Sequence, residues 1–241
     1  MNRYFGVCLE FSKQQVAATI EKCVAEKRTG AVFVVDATVL SYTVSNHSFR
    51  ELINNASANI CDGSSIALLA GRIHKQNFQQ YTGSDIFKDF LPKGYRQCFL
   101  GGSSEGLDAL REKMVERGVD ISNCLFESLP FCQVEQFDYD GIAARVNEFG
   151  AELIWVSLGA PKQEQFITYL RPHLKQGVLF AVGAAFNFYS GTVKRAPSWM
   201  RRLHLEFFHR ILSEPKKQSK RCWGIMKMYP HIVWKEYKGA R

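Results

Sequence analysis

The chain has 241 residues, 46 % of them hydrophobic and 22 % charged, with a formal net charge of +8. That is ordinary globular composition, which excludes a disordered chain, a collagen and a bare disulfide scaffold. The length is ample for one buried core and suits one large domain, or one domain with an appendage.

In chain order, Ser12 and Gln15 form a capping-box pattern, and Val16, Ile20, Cys23 and Val24 then mark one helix face. Residues 31–35 are a continuous apolar run of strand length, followed by Asp36. A shorter run, 59–61, is followed by Asp62-Gly63. Residues 97–100 lead into Gly101-Gly102 and a helix with Leu107, Leu110 and Met114 on one side. Asp138 and Asp140 open a helix bearing Ile142, Val146 and Phe149. Residues 153–158 and 178–182 are two more buried-type strands, with a helical segment carrying Phe166 and Leu170 between them. Strands apolar on both faces that alternate with helices predict an α/β fold, Rossmann-like, with a mostly parallel sheet and helices on both faces. Ligands in such folds bind beyond the carboxyl ends of the strands, which selects the loops after Val35, Cys61, Leu100, Leu158 and Val182.

The charge is uneven. Residues 193–241 hold 13 Lys/Arg against 3 Asp/Glu, whereas residues 1–192 hold 18 against 20. The division expected is an α/β core over 1–195 and a basic, amphipathic, helical C-terminal appendage over 196–241. Pro197 begins a segment with Met200, Leu203, Phe207 and Ile211 on one face, and Pro215 with the basic run 216–221 ends it. In the last segment Pro230 is expected to break or kink the helix. Cations beside Trp199, Trp223, Tyr229 and Trp234 suit an anionic membrane surface. No stretch reaches the roughly 20 apolar residues of a spanning helix, and the opening apolar run is too short for a signal peptide. Seven scattered cysteines fit a reducing cytoplasm.

Several residues could carry chemistry. Asp62, at a strand end beside a glycine turn, can accept a proton from a substrate hydroxyl or can cap the following helix. The Gly101–Gly102 turn before a helix can hold phosphate or be a plain connection. Asp138 and Asp140 read as helix capping rather than a metal site, and no catalytic metal or cofactor is expected. Gly159-Ala160-Pro161-Lys162-Gln163-Glu164 packs a cation, an amide and a carboxylate after a buried strand, as a site for a sugar or nucleotide would. Residues 183–197 place aromatics beside Asn187 and then Lys194-Arg195, which suits a sugar or base face next to phosphate.

Gly159–Glu164 resembles the G-x-P-K-Q-E motif of the WecG/TagA/CpsF family of bacterial glycosyltransferases (glycosyltransferase family 26), which includes N-acetylmannosaminyltransferases. Further resemblances follow in the family's order: Asp62-Gly63, Thr82-Gly83-Ser84-Asp85, Phe99-Leu100-Gly101-Gly102, Lys194-Arg195-Ala196-Pro197, and Leu205–Arg210 with Glu206 and Arg210. Together they span roughly residues 5–222. The resemblance implies metal-independent, inverting transfer of an N-acetylhexosamine-type sugar, N-acetylmannosamine or its uronic acid. The donor would be a UDP-sugar and the acceptor a polyprenyl-diphosphate-linked saccharide at the inner membrane face, in cell-surface polysaccharide synthesis. It makes Asp62 the general base and puts Gln163 at a polar active-site position. Asp36, Gln80, Gly83, Asp85, Gly101, Gly102, Lys162, Glu164, Asn187, Lys194, Arg195, Glu206, Arg210, Lys217 and Lys220 are then candidates for substrate binding. This chain departs from the family at Asp36, Gln80 and Asn187, and has lysines where arginines are common at 217 and 220. The implied localisation is cytoplasmic and peripheral to the membrane, with no nucleic acid partner, and a homo-oligomer is left open. A nucleotide-binding oxidoreductase would need a complete glycine fingerprint with its acidic partner, and an RNA-binding module would use the basic tail alone. Neither rival accounts for the ordered motif set.

Overall fold

A computed structural model describes residues 2–193, Met200 and 215–239, the last span with side chains at 225, 226 and 228–239. Its centre is a six-stranded, all-parallel sheet in the order β4-β3-β8-β7-β5-β6. The strands are β3 (Thr29–Val35), β4 (Ala58–Cys61), β5 (Gln97–Leu100), β6 (Cys124–Glu127), β7 (Leu153–Val156) and β8 (Gly177–Ala181). A separate hairpin pairs β1 (Arg3–Tyr4) with β2 (Val7–Cys8). Its two turn residues, Phe5 and Gly6, both have positive φ, 55° and 79°, as a two-residue hairpin turn with matching twist requires.

Side chains alternate across each strand, so the sheet has two apolar faces. Phe33 and Val35 join one core with helices α2 (Ala37–Ser45), α3 (His47–Asn54), α4 (Ser64–His74), α7 (Tyr139–Phe149) and α8 (Lys162–Leu170). Val32 and Val34 join the other with α1 (Lys13–Ala25), α5 (Gly83–Phe90), α6 (Ser104–Glu116) and α9 (Ala185–Ser190). This is the α/β layering that the sequence pattern predicts. A polar relay crosses the second core without leaving a donor bare: Trp155 Nε1 donates to Gln97 Oε1 at 2.8 Å, and Gln97 Nε2 donates to the Leu91 carbonyl at 2.8 Å.

Local expectations fare unevenly. Ser12 caps α1 through the Gln15 N–H, yet the box is not closed by Gln15, because the Ser12 N–H goes to the Glu10 carboxylate at 2.7 Å. Asp138 caps α7, and Asp140 reaches His173 at 2.7 Å, so the acidic pair serves the fold as expected. Helix α10 (Pro215–Gly239) forms the last segment; apart from Met200, the segment expected to end at Pro215 lies outside the described residues. Pro215 opens a helix, the position where a missing N–H costs nothing, and the basic run 216–221 lies inside it. Pro230 does not break it: Pro230 and Met226, four residues back, are both exposed, so water reaches the carbonyl left without a partner.

α10 lies against the core through Ile232, which is buried with Phe5, Leu40 and Ile66. Glu236 tethers it: one carboxylate oxygen accepts from the Phe5 N–H at 2.6 Å and the other lies 2.8 Å from His74 Nε2. Tyr229 is half-buried, and burial pushes its phenol pKa up while a hydrogen bond with Ser65 works the other way. Trp234 is exposed, with the Lys238 ammonium 3.9 Å from its ring centroid. Among the described residues, no helix is long and apolar enough to cross a membrane.

Candidate active site

Strand order turns back on itself between β3 and β8, and the loops at the carboxyl ends of β3, β8, β7 and β5 line a cleft of about 530 Å³. Asp36, Asp62, Gly101, Gly102, Lys162, Gln163 and Asn187 all border it, so seven of the sequence candidates come together.

Asp62 continues β4, its N–H bonded to the Val35 carbonyl at 3.0 Å. It does not cap α4, whose N-cap is Gly63 with no side-chain capping bond. Its Oδ2 instead accepts from the Gly83 N–H at 3.4 Å. Gly83 is the first residue of α5, and a Cβ there would meet the Val182 carbonyl oxygen at 3.2 Å and Val34 at 3.4 Å. The T-G-x-D segment therefore delivers a helix-start amide to the carboxylate of Asp62. Thr82 and Asp85 fix that helix start with a reciprocal capping box. The Asp85 carboxylate turns back to the Thr82 N–H at 3.3 Å and does not line the cleft.

Gln163 is the tie between two loops. Its Oε1 accepts from the Gly159 N–H at 3.2 Å and from the Gly183 N–H at 3.0 Å, and its Nε2 donates to Glu164 Oε1 at 3.0 Å. Ser157 adds a second tie, its hydroxyl donating to the Gly183 carbonyl at 2.6 Å. Glu164, expected at the substrate, is fully buried behind Gln163 and absent from the cleft lining. Consecutive helix residues point about 100° apart, so Gln163 and Glu164 cannot share a direction. Desolvation pushes the Glu164 carboxyl up to about 7, Gln163 and the Glu164 N–H lower it in part, and Asp36 raises it. Its Oε2 has no hydrogen-bond partner among the described residues.

Lys162 borders the cleft, but its ammonium donates to the Cys132 carbonyl and lies 4.8 Å from the Phe137 ring centroid. Asp36 caps α2, accepting from the Val39 N–H at 2.8 Å. Gly101 has φ +98°, and a Cβ there would lie 2.7 Å from the Ser157 carbonyl oxygen, so only glycine lets the two strand ends meet. Asn187 is exposed on the short α9. Gln80 does not reach the cleft and faces a separate groove.

Lys194, Arg195, Glu206 and Arg210 lie outside the described residues. Lys217 and Lys220 fall in α10, with side chains also outside them. Sequence reading missed Thr38, Ser84, Ser103 and Ser157 as cleft residues; the only signal for Ser157 is its place one residue past a strand end. Among the described residues, no three His, Cys, Asp or Glu side chains gather to hold a metal ion.

The profile of the glycosyl transferase WecG/TagA/CpsF family matches residues 4–241. The N-acetylglucosaminyldiphosphoundecaprenol N-acetyl-beta-D-mannosaminyltransferase of Bacillus subtilis (strain 168) is 26 % identical over 226 residues, 92 % of this chain and 86 % of that protein. Proteins of the same name from Staphylococcus aureus strains MW2 and NCTC 8325 / PS 47 are 24 % identical over 233 residues, 94 % of this chain and 88 % of theirs. With an ordered motif set, a parallel α/β frame and a family match across nearly its whole length, the chain belongs to the WecG/TagA/CpsF family of glycosyltransferases.

Proposed function

We propose that the protein transfers an N-acetylhexosamine-type sugar, N-acetylmannosamine or its uronic acid, from a UDP donor to a polyprenyl-diphosphate-linked saccharide. The reading rests on one observation above all: a carboxylate, Asp62, stands at the mouth of a strand-end cleft, held by the Gly83 amide instead of capping its own helix. The acceptor class follows the relatives, named for transfer to a diphosphoundecaprenol-linked sugar.

In this scheme Asp62 takes the proton of the acceptor hydroxyl as its oxygen attacks the anomeric carbon, and UDP leaves from the opposite face with inversion. The glycine turn at Gly101-Gly102 leads into α6, whose first amides favour the negative charge growing on the diphosphate. Lys194, Arg195, Arg210, Lys217 and Lys220 supply further cations, and the reaction runs without a metal ion. The basic, aromatic end of the chain holds the protein on an anionic lipid surface at the cytoplasmic side, where the acceptor is presented.

The test is a panel of UDP-sugars with a short-chain polyprenyl-diphosphate N-acetylglucosamine acceptor, with and without EDTA, for wild type and Asp62→Asn. We expect turnover with an N-acetylmannosamine-type donor, insensitive to EDTA. In the variant it falls by two to four powers of ten, the usual range for removing a general base. Near wild-type turnover by folded Asp62→Asn removes Asp62 from the base role, and no turnover with any UDP-sugar removes the donor class. Gln at Lys216, Lys217, Lys220 and Arg221 should weaken pelleting with anionic liposomes at low salt; unchanged pelleting sinks the membrane contact.

A further inference from the structure

A second groove, of about 970 Å³, lies beside the edge strand β4, between residues 9–15 and 76–80. It shares no lining residue with the cleft, and its size is within the range of small-molecule sites, about 300–1,000 Å³. One wall is aromatic: the half-buried rings of Phe11 and Phe78 stack at 4.0 Å with 11° between planes, and Tyr4 meets both edge-on at 5.2 Å. The other is a run of amides, Gln76, Asn77, Gln79 and Gln80, whose side chains make no hydrogen bond to any described residue. The groove lining holds one carboxylate and one cation. The Glu10 carboxylate accepts from the Ser12 N–H, and the Lys13 ammonium sits 4.7 Å from the Tyr81 ring centroid.

We propose that this groove is a second binding site, for a neutral saccharide. Each amide carries donors and an acceptor side by side, the arrangement that matches adjacent sugar hydroxyls or an acetamido group. The C–H face of a pyranose packs on the negative face of an aromatic ring. A site for a nucleotide or other anion would present several cations, whereas this groove offers Lys13 alone, with the Glu10 carboxylate in the same lining. An extended peptide would need the free edge of β4, where the Glu10 N–H already occupies the Asn59 carbonyl at 2.8 Å. A saccharide here also gives a role to Gln80, a substrate-binding candidate that lines this groove and not the cleft. It does not depend on the transfer reaction proposed above. The amide segment runs directly into Tyr81-Thr82-Gly83, so a bound saccharide sits one short stretch of chain from the amide that holds Asp62.

Titration of the full chain with the N-acetylglucosamine trimer and with maltotriose, read by saturation-transfer NMR and calorimetry with and without excess UDP, tests the site. We expect saccharide binding that UDP leaves unchanged and that Asn77→Ala/Gln79→Ala weakens about tenfold, a loss of about 1.4 kcal/mol. Both side chains are exposed, so the fold is kept. Phe78→Leu should weaken binding similarly, with its circular dichroism compared against wild type. No binding of either saccharide, equal binding by wild type and the Asn77/Gln79 variant, or displacement by UDP overturns the proposal. So does capture of an unstructured peptide in place of the sugars.

Discussion

Replacing Gln163 by leucine removes three hydrogen bonds while nearly preserving volume. The Gly159 and Gly183 N–H groups lose their acceptor, and Glu164 loses the donor at Oε1. A buried polar group left unpaired costs about 1–3 kcal/mol. Both glycines are only half-buried, so water offsets part of the loss and the lower end of the range applies to each. Glu164 is fully buried with Oε2 already unpartnered, so its loss lies higher, eased by protonation. The sum is about 3 kcal/mol, a large share of the stability of about 5–15 kcal/mol typical of a domain. Urea denaturation at neutral pH should show a lower midpoint with an unchanged slope, because the surface exposed on unfolding is the same. The two strand-end loops should also lose amide protection together. A loss below about 1 kcal/mol, or protection lost in one loop only, refutes the view that Gln163 ties them.

Three further expectations follow from the same geometry. Below its ordinary value of 4.5 Glu164 is protonated in both states; between 4.5 and about 7 the unfolded chain ionises it while the folded protein, where burial raises the carboxyl, still holds the proton. Stability should fall by about 3 kcal/mol across that window, and Glu164→Gln should flatten the profile; an equally steep profile in the variant shows that another group is responsible. Gly101→Ala should cost about 2–3 kcal/mol, since it combines a positive φ with a Cβ 2.7 Å from the Ser157 oxygen; thermal melts within a degree of wild type would contradict this. Glu236→Ala should remove about 1–3 kcal/mol and speed hydrogen exchange in α10 and at Phe5 together. Exchange that changes in α10 alone would separate the two.

The sheet was largely legible because strands covered on both faces are apolar throughout. Residues 31–35, 153–156 and 178–181 are buried without interruption. β6 was not: every residue from Cys124 to Glu127 is only half-covered, so its composition carries no such run. The cleft was legible where a side chain does the work at a strand end, as at Asp62. It was opaque where the backbone does it. The letter for Gly83 says nothing of an N–H aimed at a carboxylate, and Asp85 looks like a ligand until its capping bond is seen. Gln163 and Glu164 are adjacent in the motif but divide between cleft and core. What Pro230 does to the helix depends on whether the orphaned carbonyl meets water, and the letter alone does not give the face it occupies.

The Glu236 tether has a consequence for how the chain reaches its final form. It joins residues 231 positions apart, so the hairpin turn gains this bond only after the last helix has been made. At ribosomal rates of about 5–20 residues per second, the Phe5 N–H waits on the order of tens of seconds for this partner. During that wait Tyr4 and Phe5, which end 5 % and 7 % exposed, lack the helix that covers Phe5. The nascent sheet can form from β3 to β8 before this happens, and docking of α10 is the step that seals the molecule.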